Sequence, residues 1–107
     1  MRVLVIGKRT EITIRVRFLT TEEGGRINPL NGNLYDHHGC ALIIDGEAFE
    51  CRLWLSKILY ELGNAYELPL QFLNWNMVKP LLQVGKACKL WEGKISAEGE
   101  ILSIEME

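Results

Sequence analysis

The sequence predicts an all-β protein in which residues 1–107 form one domain, a closed antiparallel barrel of six or seven strands with Greek-key connections. Three observations carry this prediction. Residues 11–19 alternate between apolar and polar side chains, which indicates a strand with one buried face. The pair Asp45-Gly46 separates two alternating runs, as in a two-residue hairpin. Short runs and turn residues recur along the rest of the chain, and closing such a sheet removes its exposed edges.

The first half of the chain supplies four of the predicted strands. A short apolar strand at residues 2–6 precedes the strand at residues 11–19. In that second strand the apolar side chains fall on one face, and Arg15 and Arg17 fall on the other. Residues 20–38 follow as a long loop, and loops of this length in compact domains are often functional. The two hairpin strands cover residues 39–44 and 47–55.

The second half of the chain is less regular. For residues 56–63 two interpretations stay open: one short helix that begins at Ser56, or an irregular crossing. Residues 66–74 form a strand, although Pro69 inside it favours an edge position or a bulge. An apolar connector at residues 77–85 leads into the last predicted strands, at residues 87–92, 94–97 and 99–107.

The first long strand is expected to pair with the last strand of the barrel. On the outside of the barrel, Arg15 and Arg17 would then face two acidic side chains, Glu105 and Glu107. Each exposed cross-strand ion pair of this kind would contribute about 0.2–1 kcal/mol. This register is a hypothesis that mutation of the paired residues can test.

The composition is typical of a soluble cytoplasmic protein. With 107 residues, 48% of them hydrophobic, the chain can bury a core without disulfides or a metal. A net charge of −2 gives no overall basic footprint of the kind found in strong nucleic-acid binders. No apolar run approaches the ~20 residues of a membrane helix, and the one at residues 3–6 is too short for a signal peptide. The odd set Cys40, Cys51 and Cys88 contains no CxxC, so we expect reduced, mostly buried thiols, with one disulfide plus a free thiol as the alternative.

Two stretches of the chain together resemble a known family. The first starts with Arg17-Phe18-Leu19 and continues through Glu22-Glu23-Gly24-Gly25-Arg26 to Asn28-Pro29. It is similar to the opening of the C-terminal, third β-barrel domain of translation elongation factor Tu, where a strand enters an Asp/Glu-Glu-Gly-Gly-Arg loop. The second stretch, Glu92-Gly93-Lys94, resembles the Arg-Glu-Gly-Gly-Arg turn in the closing hairpin of that domain. The two matches bracket residues 15–104.

The resemblance implies a stand-alone barrel of a kind that, in the factor, contacts the T-stem of tRNA and partner proteins. Residues 1–107 contain no phosphate loop of the GxxxxGKS/T pattern, so GTP hydrolysis has no support and no cofactor is expected. The chain departs from the family pattern in its closing turn, where Gly93 stands alone and Lys94 replaces an arginine. Residues 56–65 form an insertion that the family pattern does not account for.

The histidine pair is the first candidate for chemistry. With Asp36 and Cys40 nearby, His37 and His38 could hold a metal, but neighbouring residues on a strand point in opposite directions. Cys40 beside a histidine could act as a nucleophile in a small enzyme, yet no third, orienting group is evident. A partly exposed histidine pair is therefore the favoured interpretation, and we predict neither a metal site nor a catalytic residue.

Arg26 is the strongest functional candidate in the double-glycine loop. In one interpretation the glycines let Arg26 fold back over its own acidic neighbours, Glu22 and Glu23. In the other, Arg26 presents a two-pronged donor to a phosphate or to the carboxylate of a partner. The two interpretations differ in whether the guanidinium is free to bind.

The tryptophans are the second source of binding candidates. Trp54 lies opposite the apolar register of its strand and is expected to face outward, while Trp75 sits at a break in the pattern. An exposed pair would indicate a protein interface or a platform on which bases stack. A tryptophan that covers a barrel end is the alternative, and Trp91 is expected to be structural.

These features predict a non-enzymatic binding module for a protein partner in the cytoplasm. RNA or tRNA binding, by analogy with the elongation factor, is the alternative, and a homodimer stays open. No membrane contact is expected. The candidate binding surface comprises Arg15, Arg17, Glu23, Arg26, Trp54, Trp75 and Lys94.

Overall fold

The computed structural model describes residues 9–33 and 35–105. The predicted strand at residues 2–6 and the predicted partner Glu107 lie outside these residues. The helical segment comprises α1 (Trp75–Val78) and a 3-10 turn (Lys79–Leu81). The strands are β1 (Ile12–Phe18), β2 (Leu30–Asn31), β3 (His37–Ile44), β4 (Glu47–Trp54), β5 (Leu59–Tyr60), β6 (Ala65–Phe72), β7 (Ala87–Trp91) and β8 (Ile95–Ile104).

Six of these strands close into a barrel. Their order is β1-β6-β4-β3-β7-β8, and every neighbouring pair is antiparallel. The connections from β1 to β3 and from β6 to β7 join strands that are not neighbours, as Greek-key connections do. The prediction of a closed antiparallel barrel is confirmed, and β2 and β5 form a separate two-stranded sheet.

Strand β1 shows how the sequence pattern builds the core. Ile12, Ile14 and Phe18 have no exposed surface, and Val16 is 1% exposed. Arg15, on the opposite face, is exposed, because successive side chains of a strand point to opposite sides. Each fully buried apolar side chain of this size contributes about 1.5–3 kcal/mol. The same alternation on the other strands fills the barrel interior with side chains.

The predicted hairpin between β3 and β4 is confirmed. Asp45 and Gly46 both have positive φ, 51° and 79°, as a type I′ turn requires. Ile44 and Glu47 are the first pair of the ladder beyond the turn. The twist of this turn matches that of the flanking strands, so the hairpin needs no distortion to join the barrel.

Residues 56–63 take the irregular course, and the short helix lies elsewhere, at residues 75–81. The chain is extended at Leu59–Tyr60 because β5 pairs with β2 there. The side chain of Tyr60 is buried, and its hydroxyl accepts hydrogen bonds from the N–H groups of Ser56 and Lys57 at 2.9 and 3.2 Å. In the described part of the chain no helix is long and apolar enough to cross a membrane.

The pairing of β1 with the last strand is confirmed, but the predicted register is wrong. Arg15 lies opposite Glu100 and Arg17 opposite Glu98. Glu105 instead accepts a hydrogen bond from the hydroxyl of Thr13 at 3.1 Å. β8 runs unbroken through Gly99, where a Cβ would collide with the carbonyl group of Arg15, and the register of the two strands shifts at an irregularity between Thr13 and Ile14. Glycine therefore continues this strand where the sequence indicated a break.

Candidate functional site

One end of the barrel carries most of the irregular chain, and we call it the loop end. Its described residues are 19–33, 35–36, 55–64 and 92–94, which follow β1, β4 and β7. Backbone hydrogen bonds of 2.7–3.0 Å tie these segments to one another and to the barrel. They run from Leu55 N–H to Asp36 O, from Gly63 N–H to Phe18 O and from Leu19 N–H to Ser96 O.

A polar group of three side chains lies at the loop end, and we call Arg26, His38 and Glu92 the Glu92 cluster. Arg26 Nη1 lies 2.6 Å from Glu92 Oε1, and His38 Nε2 lies 2.7 Å from the same oxygen. The side chains are 23%, 27% and 17% exposed, in the order Arg26, His38, Glu92, so water screens these contacts only in part. The double-glycine loop and the closing turn, 66 residues apart in sequence, therefore meet through one carboxylate.

Glu92 is held in its ionised form. Burial raises the pKa of its carboxyl, but hydrogen bonds with His38 and Ser96 and the charges of His38 and Arg26 outweigh burial, and the net pKa is lowered. Arg26 is held as well, because its Nε donates to the carbonyl oxygen of Asn28 at 3.0 Å. The geometry thus fixes the loop against the turn.

The interpretation that Arg26 folds back over Glu22 and Glu23 is wrong. Glu23 binds Arg17 instead, through two hydrogen bonds of 3.0 and 2.8 Å. The pKa of Glu23 is lowered to about 2, first by the hydrogen bond with Arg17 and then by the backbone N–H of Thr20. The turn that begins at Thr20 aims Glu23 back along β1, whereas Arg26 leaves the turn on the side of residues 92–94.

The remaining basic candidates differ in their surroundings. Arg15 on β1 has an acidic residue opposite it on both neighbouring strands, Glu67 on β6 and Glu100 on β8. Lys94 is exposed in the closing turn. Together with Arg26 it lines a shallow pocket of about 270 Å³ at the loop end. The structure thus brings Arg26 and Lys94 together but leaves Arg15 on the barrel wall.

The expectation of an outward-facing, exposed Trp54 is wrong in one respect. Its position in β4 points it away from the core, but its side chain is only 3% exposed. Its indole N–H donates to the carbonyl oxygen of Arg9 at 2.7 Å. Trp75 begins α1 and is partly buried, with its ring centroid 6.4 Å from that of Phe72. Trp54 therefore offers no exposed aromatic surface.

Trp91, expected to be structural, is instead 44% exposed and borders a groove on the outside of the barrel. The groove has a volume of about 430 Å³ and lies over β3, where the small residues Gly39 and Ala41 face outward. Leu73, which is 60% exposed, borders it as well. We call this feature the Trp91 groove; its lining also includes Cys40, Glu50, Cys51, Arg52 and Glu92.

The two histidines point apart, as expected for neighbours on a strand. His38 contacts Glu92, whereas the ring of His37 lies 6.2 Å from that of Trp54 and its Nδ1 lies 3.4 Å from Asp36 Oδ1. Within residues 9–33 and 35–105, no group of three or more His, Cys, Asp or Glu side chains is placed to hold a metal ion. The cluster is thus an arrangement of hydrogen bonds and charges.

Two residues of this region were not among the sequence candidates: Glu92 as a site residue and Trp91 as a surface residue. The sequence did contain features that could have indicated them. Glu92 begins the closing turn, and Trp91 follows Leu90, which lies on the apolar face of the strand, so Trp91 falls on the opposite face. A scan against models of protein families finds none that matches the chain, and a search of curated proteins finds no match.

Proposed function

We propose that this chain is a non-enzymatic, cytoplasmic binding module that takes up a protein partner in the Trp91 groove. The observation that carries the proposal is the exposed indole of Trp91, which stands with Leu73 over a floor of small residues. Three charged residues, Glu50, Arg52 and Glu92, lie around these apolar groups. An apolar centre with a polar rim is the usual anatomy of a protein interface, and tryptophan is enriched among the residues that dominate binding.

The charge distribution favours a protein over a nucleic acid. Arg17 is bound by Glu23, and Arg26 by Glu92. Arg15 has acidic residues opposite it on both sides. Binding to a phosphate backbone needs cations that are free to displace counterions, and three of the four basic candidates have carboxylates beside them. The net charge of −2 acts in the same direction.

The Glu92 cluster supports a structural role in this proposal. Both Arg26 and His38 bind the same oxygen of Glu92, so the carboxylate joins the double-glycine loop to the closing turn. A catalytic nucleophile with its base would instead need a reactive side chain directed at an open site. Glu92 also lines the Trp91 groove, whereas Arg26 is not among its lining residues.

The proposal is tested with two groove variants and one matched control. Trp91→Ala and Leu73→Ala remove apolar side chains from the groove. The control, Ile58→Ala, removes an apolar side chain that is 71% exposed and lies outside the groove, in the residue before β5. Partners captured by the wild-type chain are purified, and their Kd values are measured against all four proteins. We expect Trp91→Ala to weaken binding by about 30-fold, since a central aromatic contact is worth about 2 kcal/mol. Equal Kd values for the groove variants and the control would overturn the proposal.

RNA binding is the second candidate, and the pocket shared by Arg26 and Lys94 is the observation that favours it. The resemblance of both loops to the third domain of elongation factor Tu suggests tRNA as the probe. Binding would be salt-dependent and would be lost in Lys94→Ala or Arg26→Ala. A tRNA complex with these properties, together with unchanged protein binding in Trp91→Ala, would replace the groove proposal with this one.

A further inference from the structure

Cys40 and Cys51 lie directly opposite each other on β3 and β4, with their Sγ atoms 3.9 Å apart. In a hairpin with a two-residue turn, the pair that flanks the turn exchanges hydrogen bonds, and every second pair beyond it does the same. Counting from Ile44 and Glu47, Cys40 and Cys51 form such a pair. Its Cα atoms are therefore about 5.5 Å apart, inside the span of about 4.4–6.8 Å that disulfides bridge.

The three thiols of the chain differ in their access to solvent. Cys40 is partly exposed and lines the Trp91 groove. Cys51 is 1% exposed, and its hydrogen bond with Cys40, together with burial, raises the pKa of its thiol. Cys88 is 2% exposed, and burial raises the pKa of its thiol to about 12. A small oxidant that enters from solvent therefore meets Cys40 first, and Cys51 is the thiol beside it.

We propose that Cys40 and Cys51 form a redox-active pair that a peroxide converts into a disulfide across β3 and β4. The Cys40 thiolate attacks one peroxide oxygen and the O–O bond breaks. Cys40 becomes a sulfenic acid, and the released hydroxide takes up a proton to give water. The Cys51 sulfur then attacks the Cys40 sulfur, an S–S bond forms, and hydroxide leaves and combines with the Cys51 proton as a second water. The two thiols lose two electrons, and one hydrogen peroxide accepts both.

The disulfide is reversible in this proposal. The thiolate of a dithiol reductant can attack the sulfur of Cys40, the more exposed of the two, and thiol–disulfide exchange then breaks the bond. The dithiol reductant gives up two electrons and becomes a disulfide itself, and Cys40 and Cys51 return to thiols.

The test uses hydrogen peroxide, a sulfenic-acid trap and mass spectrometry on the folded wild-type chain. We expect the loss of two hydrogens, a peptide cross-link between Cys40 and Cys51, a free Cys88 and full recovery with dithiothreitol. In Cys51→Ser the reaction stops at a trapped sulfenic acid on Cys40, because the second thiol is missing. In Cys40→Ser the peroxide leaves Cys51 unmodified. Cys88→Ser, the matched control, behaves as the wild-type chain does.

Three outcomes would overturn the proposal. One is a wild-type chain that accumulates trapped sulfenic acid as Cys51→Ser does. The second is a cross-link that contains Cys88. The third is a chain that keeps three free thiols after peroxide treatment while circular dichroism shows it to be folded. Circular dichroism of each variant establishes that a missing cross-link reflects the missing thiol and no loss of the fold.

Discussion

Arg17 and Arg26 stand on either side of the same turn, yet their ion pairs differ in reach and in surroundings. Arg17 binds Glu23, six residues away, and both side chains are more than 40% exposed. Arg26 binds Glu92, 66 residues away, and both side chains are less than a quarter exposed. The first pair shapes a loop, whereas the second fastens that loop to the other end of the chain. Distance in sequence and screening by water, rather than the residue types, separate the two roles.

The largest effect is expected from removing the carboxylate that holds the loop end together. Glu92→Ala leaves Arg26 and His38 without their shared partner in a partly buried site. We expect the free energy of unfolding to fall by about 2–3 kcal/mol, measured by urea denaturation. Glu22→Ala, an exposed glutamate of the same loop, is the control and should change stability by less than about 0.5 kcal/mol. Equal effects of the two substitutions would show that Glu92 stabilises the fold no more than an exposed glutamate of the loop does.

Double-mutant cycles sharpen the comparison directly. The cycle of Arg26→Ala with Glu92→Ala should give a coupling free energy of about 1–2 kcal/mol, since the contact is short and partly buried. The cycle of Arg17→Ala with Glu23→Ala should give a clearly smaller value, because that pair is open to water. A larger coupling for the exposed pair would contradict the assignment of roles.

Lowering the pH should release the Glu92 cluster. The pKa of Glu92 is lower in the folded chain than in the unfolded one, so the unfolded chain takes up its proton first. The stability due to this shift is fully present above about pH 4.3, the usual glutamate value, and is lost as the pH falls through the folded-state pKa. The unfolding free energies of wild type and Glu92→Gln should therefore differ above about pH 4.3 and converge as the pH falls below it. A constant difference between them would show that the charge of Glu92 is not what stabilises the fold.

Salt provides the smallest and most selective effect. At about 1 M salt the screening length is about 3 Å, so the coupling of Arg17 with Glu23 should vanish. The coupling of Arg26 with Glu92 should persist, because fewer ions reach a partly buried contact. Repeating both cycles at low and high salt measures this, and an equal loss in the two cycles would contradict the comparison.

The sequence predicted the features of the fold that depend on residues close together in the chain. The alternation of β1 and the Asp45-Gly46 turn act within a few residues, and both were predicted correctly. The course of residues 56–63 could not be decided, because it depends on the pairing of β5 with β2, which lies in the loop after β1.

The candidate site was harder to predict than the fold. The sequence singled out Arg26 and the closing turn separately, but nothing local shows that the arginine passes over its own acidic neighbours to reach Glu92. Trp54 faces away from the core, as its register indicates, yet it is buried, and its indole N–H donates to the carbonyl oxygen of Arg9, 45 residues earlier in the chain. Contacts between segments distant in sequence decided both cases.

We propose that the loop end stabilises the fold, whereas the Trp91 groove binds a partner. The most direct test measures partner affinity and unfolding free energy for Trp91→Ala and Arg26→Ala side by side, under conditions where both variants are folded. We expect Trp91→Ala to lose about 30-fold in affinity with nearly unchanged stability, and Arg26→Ala to lose stability while it retains affinity. Loss of affinity in Arg26→Ala with normal binding by Trp91→Ala would contradict the claim.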